Sequence, residues 1–166
     1  MARVASGLFE LKVNVEEAET GLGASGNRSR LAHAIDYVLA MAPGSADGQI
    51  ERIYSDAPTL TTTPTPLDLV GSLPSKLNGQ AVVFAELVGI IVENTSAAGN
   101  VLIGGGSNPI PLFADVSDKL PVLPKGILAW VAPAGLPLTA ATADILTLAA
   151  SAGSVGCKIV LLGRVS

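Results

Sequence analysis

Glycine and proline interrupt this chain of 166 residues so often that only short runs of regular structure fit between them. Eighteen Gly and eleven Pro leave apolar segments of strand length and few that are long enough for a helix. The chain therefore reads as all-β. Residues Leu8 to Val15 alternate, with Phe9, Leu11, Val13 and Val15 on one side and Glu10, Lys12 and Asn14 on the other, as in a half-buried strand. Gln49 to Tyr54 alternates more weakly. Asp56 to Pro66 is rich in Thr and Pro, and Pro64 and Pro66 bar it from a central strand, so it reads as a loop or a sheet edge. Leu67, Leu69 and Leu73 make a short strand, and Asn78-Gly79 supplies a turn before Val82-Val83-Phe84 and Leu87 to Glu93. Ile90, Ile91 and Val92 form a β-branched run of the kind buried on both faces. Val101 to Ile103, Gly126 to Val131, Ile145 to Ala149 and Cys157 to Leu162 complete the series. About eight strands at this spacing predict a β-sandwich or jelly roll rather than alternating βαβ units.

The segment Arg28 to Met41 carries two signals. Ala32, Ala34, Leu39 and Ala40 suit a helix, whereas Leu31, His33, Ile35, Tyr37 and Leu39 fall on one side of a strand, and the alternation favours strand. The chain divides into an N-terminal strand or arm over residues 1–26 and a sandwich domain over residues 27–166.

Charge is scarce. Only 14% of residues are charged, against about 25% in ordinary soluble chains. A folded chain of this mass exposes about 7,600 Å², so part of the surface is expected to meet another protein. Residues 1 to 56 hold 13 of the charges and residues 57 to 166 hold 11, which places core and interface in the longer, poorly charged part. A net charge of −4 and scattered basic residues argue against nucleic acid as a partner. Cys157, the one cysteine, permits no internal disulfide and reads as a buried, inert thiol. Met1 to Glu10 shows no signal-peptide pattern. The uncharged stretch from Gly126 to Ala143 is broken by Pro133, Gly135 and Pro137, so no membrane span is expected.

Gly21-Leu22-Gly23-Ala24-Ser25-Gly26 has the spacing of a dinucleotide loop, with Asp47 further on. That loop must follow a buried parallel strand directly, and here Glu16, Glu17 and Glu19 would crowd a pyrophosphate. A loop or strand connection is the better reading, and those carboxylates read as a solvated acidic face. Gly104-Gly105-Gly106-Ser107 lacks the Lys-Ser/Thr of a phosphate loop and reads as a turn. With His33 the only histidine, no His/Cys ligand set can be assembled, and no G-x-S-x-G elbow supports a catalytic serine. No cofactor and no catalytic residue are expected. Asn27-Arg28-Ser29 and Asn94-Thr95-Ser96 match the glycosylation sequon without a secretion signal to give it meaning. Trp130 reads as a core or an interface anchor.

Between Ile50 and Leu162, the order and spacing of Tyr54-Ser55-Asp56, Thr59-Leu60, Leu67-Asp68-Leu69 and Gly71-Ser72-Leu73 form a recognisable frame. It continues through Asn78-Gly79, Phe84-Ala85-Glu86, Ile90-Ile91-Val92-Glu93-Asn94, Ile103-Gly104-Gly105, Pro124-Lys125-Gly126 and Thr142-Ala143-Asp144. This frame resembles the small jelly-roll virion proteins of tailed bacteriophages that decorate or cement capsids. The first 49 residues lie outside the likeness. The resemblance implies a non-enzymatic homotrimer on the outer capsid surface, with the major capsid protein or other virion proteins as partners and neither nucleic acid nor membrane. A tail, baseplate or head-fibre component is an alternative, as is a carbohydrate- or receptor-binding sandwich. Within such an assembly, Phe9, Leu11, Val13, Val15 and Trp130 are the residues expected at contacts, the arm adding a strand to a neighbour or gripping the shell.

Overall fold

A computed structural model of the chain describes residues 6–18, 30–71, 73–74, 81–113 and 115–165. These residues form strands and connecting turns, with no helix. The strands are β1 (Gly7–Ala18), β2 (Arg30–Pro43), β3 (Gln49–Ile50), β4 (Arg52–Asp56), β5 (Thr59–Leu60), β6 (Thr65–Asp68) and β7 (Leu73–Pro74). They continue with β8 (Ala81–Val82), β9 (Glu86–Asn94), β10 (Val101–Gly104), β11 (Lys119–Val122), β12 (Ile127–Pro137), β13 (Ile145–Ala150) and β14 (Val155–Arg164).

Eight of these strands build two facing sheets, ordered β11-β10-β13-β6 and β12-β9-β14-β4, with β5 also pairing to β14. The pairings are nested: β4 with β14, β6 with β13, β9 with β12, and β10 with β11, all antiparallel. Such nesting is one long hairpin rolled up on itself, and the ladders β9–β14 and β10–β13 stitch the roll into two sheets. The architecture is the expected all-β sandwich, wound as a jelly roll. The described residues hold more strands than the eight or so expected: β11 (Lys119–Val122) was not foreseen, and six lie outside the two four-strand orders, namely β1, β2 and four two-residue pieces.

The core lies between the sheets. Ile103, Leu146 and Leu148 from one sheet meet Ile90, Val92, Ile159 and Leu161 from the other, with Phe84 and Leu69 closing an end. Prolines within the two sheets sit where a missing N–H does least harm: Pro66 in β6, Pro121 in β11, and Pro133 and Pro137 in β12 all occupy edge strands. The Thr/Pro-rich segment is thus the loop and edge that its composition predicts. Asn94 ties the sheets together. Fully buried on β9, it donates Nδ2 to the Gly99 carbonyl at 2.9 Å and to the Val122 carbonyl of β11 at 3.0 Å, and accepts from the Ser96 amide at 3.0 Å. The Gly104-Gly105-Gly106 run is a turn with φ of 103°, 76° and 102°, a left-handed path that glycine takes without strain.

Outside the sandwich, β1 and β2 pair over twelve residues, from Gly7↔Met41 to Ala18↔Arg30. Arg30 to Pro43 is strand: alternation prevailed over alanine's helix propensity because a long antiparallel partner satisfies its backbone. The expected division at residue 26 falls between these two paired strands. β2 reaches the rest of the chain through β3, which it pairs in parallel at Ala42↔Gln49 and Pro43↔Ile50. The Asn78-Gly79 turn lies outside the described residues, and the strands flanking it pair antiparallel at Leu73↔Val82 and Pro74↔Ala81.

One side chain fastens the ribbon's exit to the roll. Arg164, at the end of β14, is 2% exposed. Its Nε donates to Glu86 Oε2 at 2.6 Å, Nη1 to the Ala46 carbonyl at 2.7 Å and the Pro133 carbonyl at 3.3 Å, and Nη2 to the Ala134 carbonyl at 2.6 Å. Asp47 Oδ1 stands 3.9 Å from Nη1. The carbonyls of Pro133 and Ala134 are available because the β12–β9 ladder breaks between Val131 and Leu136. Gly135 turns there with φ of 82°, and a Cβ at that position would run into the guanidinium. Replacing Arg164 by Met should cost about 1–3 kcal/mol, because it leaves the carbonyls of Ala46, Pro133 and Ala134 without their donor. Urea denaturation checks this, and Arg164→Lys should recover little, since one ammonium cannot reach acceptors on three segments.

Candidate interaction surface

The residues expected at contacts divide between two places. Phe9, Leu11, Val13 and Val15 lie on β1 opposite Leu39, Tyr37, Ile35 and His33. Directly opposed residues of an antiparallel pair share a face, so the alternating apolar positions of both strands occupy the same side of the ribbon. The other side carries Glu10 opposite Val38, Lys12 opposite Asp36, and Asn14 opposite Ala34. Trp130 is elsewhere. It sits on β12 opposite Ile90, half-buried, and packs on the main core from the inner side of its sheet.

Sequence reasoning missed the outer face of that same sheet. Register places three rows across it: Ile127, Glu93 and Lys158; then Ala129, Ile91, Val160 and Ser55; then Val131, Gly89, Leu162 and Ile53. The last row is capped at Leu162, while Ile53 at its end is exposed. Leu162 joins Met41, Ile50 and Val88 in a second buried cluster, with Leu39 and Val160 packed against it. The apolar side of the ribbon therefore begins on the apolar outer side of the sheet. Beyond this cap the face is open: Ile127 is 68% exposed and Ala129 and Ser55 are exposed. Its charges are a Glu93–Lys158 pair, Oε2 to Nζ 3.1 Å, and it is otherwise apolar apart from Ser55. The signal was available in the sequence. Ile127, Ala129 and Val131 alternate with Leu128 and Trp130, a strand apolar on both sides, which a solvent-facing sheet does not need.

The other outer face holds a shallow cavity of about 320 Å³ lined by Pro64, Pro66, Gly106, Ser107, Ile145 and Thr147, with no charged group among them. Among the described residues, no group of three or more His, Cys, Asp or Glu side chains is placed to hold a metal ion. Nor is there a helix long and apolar enough to cross a membrane. Gly21 to Gly26, Glu19 and Asn27 lie outside the described residues, and His33 is placed by its backbone opposite Val15. Asp47 occupies an exposed turn beside Arg164. The sequon at Asn94 is spent on structure, its amide nitrogen being buried in the bonds that bridge the sheets. Asp144, also buried, accepts from the Ala141 amide at 2.6 Å through Oδ2, while Oδ1 has no hydrogen-bond partner among the described residues.

No family model matches the chain, and no curated protein and no solved structure matches it.

Two buried groups at the β4–β14 seam give the fold an alkaline limit. Burial, reinforced by Asp56 and Glu93, pushes the Cys157 thiol from 9.0 up to about 11. Burial, reinforced by the charge of Asp56 and a 3.3 Å bond from its hydroxyl to Asp56 Oδ2, pushes Tyr54 from 10.0 up to about 12. Each group is neutral when protonated and holds its proton more tightly when folded. The unfolded chain therefore binds fewer protons, and stability falls as pH rises. The loss should run from about pH 9 to 11 for Cys157 and from about pH 10 to 12 for Tyr54. Chemical denaturation across that range checks it: Tyr54→Phe should flatten the upper part of the decline and Cys157→Ala the lower. At pH 8 the thiol should resist a disulfide reagent until the chain unfolds.

Proposed function

We propose that this chain is a non-enzymatic structural protein of a tailed-bacteriophage virion, a decoration protein that binds the outside of the capsid shell and stabilises it against the major capsid protein's dissociation. The observation that carries this reading is a jelly-roll sandwich with a long β1–β2 ribbon paired outside its two sheets. The roll agrees with the frame of residues between Ile50 and Leu162 on which the resemblance rests. The open sheet face is drawn mostly from the poorly charged part of the chain, in keeping with a surface that meets protein. A protein that binds assembled shell and not free subunits stabilises the shell by mass action.

Jelly rolls also serve sugar-binding proteins, whose sites commonly stack sugar faces on aromatic rings. Two of the aromatic residues that would supply such a platform are committed elsewhere. Tyr54 is 3% exposed and Trp130 packs on the core, so both support the sandwich from within.

Electron cryomicroscopy of intact particles tests the proposal. A jelly-roll density of this winding should appear on the outer shell, clustered at symmetry or quasi-symmetry axes. Finding the chain in the tail or baseplate, or absent from purified particles, contradicts it.

A further inference from the structure

The end strand of a sheet presents a row of backbone N–H and C=O groups that can pair with another chain, and edges that stay single are guarded by charge or proline. Three of the four end strands of the two sheets are guarded: β4 has Arg52 and Asp56, β6 has Pro66 and Asp68, and β11 has Lys119 and Pro121. The fourth is not. From Ile127 to Val131, β12 holds neither a charge nor a proline, and its ladder with β9 is regular as far as Val131. The Asn94 amide donates to the Gly126 carbonyl at 2.9 Å, which sets the phase of that ladder. Leu128 and Trp130 therefore direct their backbone groups to β9, whereas those of Ile127, Ala129 and Val131 point away from it. Among the described residues, no strand pairs with them. We infer that this edge is completed by the same edge of a second copy of the chain, the two β12 strands pairing antiparallel about a two-fold axis at Ala129.

Three observations favour a second copy over an unrelated strand. The edge is self-complementary: centred on Ala129, the pairing sets Ile127, 68% exposed, against Val131 of the second copy, and every outward-pointing residue of each strand meets one of the other. The inner face is unfinished without it. Leu128 and Trp130 point into the sandwich but are only half-buried, while Val92 and Ile90 opposite them on β9 are fully buried. In the same register Leu128 lies opposite Trp130 of the second copy and Trp130 opposite its Leu128, an aliphatic–aromatic cross-strand pair made twice. Charge also matches at the ends of the strand. The turn before β12, closed by the Gly126 amide on the Leu123 carbonyl at 2.9 Å, carries the exposed Lys125. Beyond the free edge, the Pro133 carbonyl accepts from the Gly48 amide at 3.0 Å, next to Asp47, whose side chain is 83% exposed. Antiparallel pairing brings the basic end of one strand to the acidic end of the other. The inference rests on this edge, not on the virion reading, and can fail or stand without it.

Sedimentation equilibrium of the full chain and two edge variants tests it. The wild-type chain should sediment at twice its mass. Ala129→Pro removes an N–H that β9 does not use, so the fold keeps its ladder and loses the pairing. Ile127→Lys places a charge on the edge and leaves the backbone unchanged. Both variants should sediment as single chains, and the emission of Trp130, the only tryptophan, should shift to the red as its ring meets water. Ala129→Cys should oxidise to a crosslinked pair, because residues opposed in a hydrogen-bonded antiparallel pair lie about 5.5 Å apart at Cα, within the reach of a disulfide. Ser55→Cys, exposed on β4 at the other end of the same sheet, should crosslink about tenfold more slowly, since its thiols meet only by collision. A wild-type mass of one chain or of three, an undiminished mass in both variants, or equal crosslinking by Ser55→Cys overturns the inference.

Discussion

A guanidinium withdrawn from water has to place its N–H groups on acceptors, and in this chain that requirement organises the junction on which everything outside the sandwich depends. Arg164 draws together the turn that leaves the ribbon, the carboxylate that opens β9 and the carbonyls exposed where β12 breaks register. None of these three segments is a neighbour of another in sequence. Tied to the last residue of β14, they fix where β2 ends and hence where Leu39 and Met41 meet the sheet. A charge so deeply buried would be a liability without its partners. With them it converts a flexible connection into an anchored one, so the ribbon leaves the roll in a defined place.

Above that joint, the molecule keeps two accounts of apolar surface apart. Between the sheets, burial is complete and the core residues are close to inaccessible. On the outer face of the β12-β9-β14-β4 sheet, burial is partial: a small cluster caps one end and open rows lie beyond it. A two-stranded ribbon is marginal by itself in water, and it gains stability when its apolar side is covered.

Much of the sandwich was legible in the sequence because its signals are local. Alternation marks β1 beside it, a β-branched run marks β9, and Pro64 and Pro66 mark the edge at β6, whereas β11 was not read as a strand. Even Arg30 to Pro43, which alanine pulls toward helix, followed its period of two. The winding was less legible, since which strand pairs with which depends on contacts between residues far apart in the chain. Arg164 gave no warning: a lone arginine after an apolar run looks like a solvated terminus, and its partners lie 30 to 118 residues away. Asn94 misled in the same way, matching a surface sequon while serving as the buried bridge between sheets. The residues expected at contacts do not lie together. The apolar side of β1 follows from alternation alone, but Trp130 turned inward, and the exposed Ile127 and Ala129 beside it needed the sheet's register to be seen as a surface.

The proposed assembly requires the open rows of the outer sheet face to be covered by protein, first of all by further copies of the chain. Sedimentation equilibrium of the full chain at micromolar concentration tests this most directly. The account predicts a mass that is a small multiple of 16.7 kDa and holds on dilution. A mass of 16.7 kDa at every concentration would contradict it.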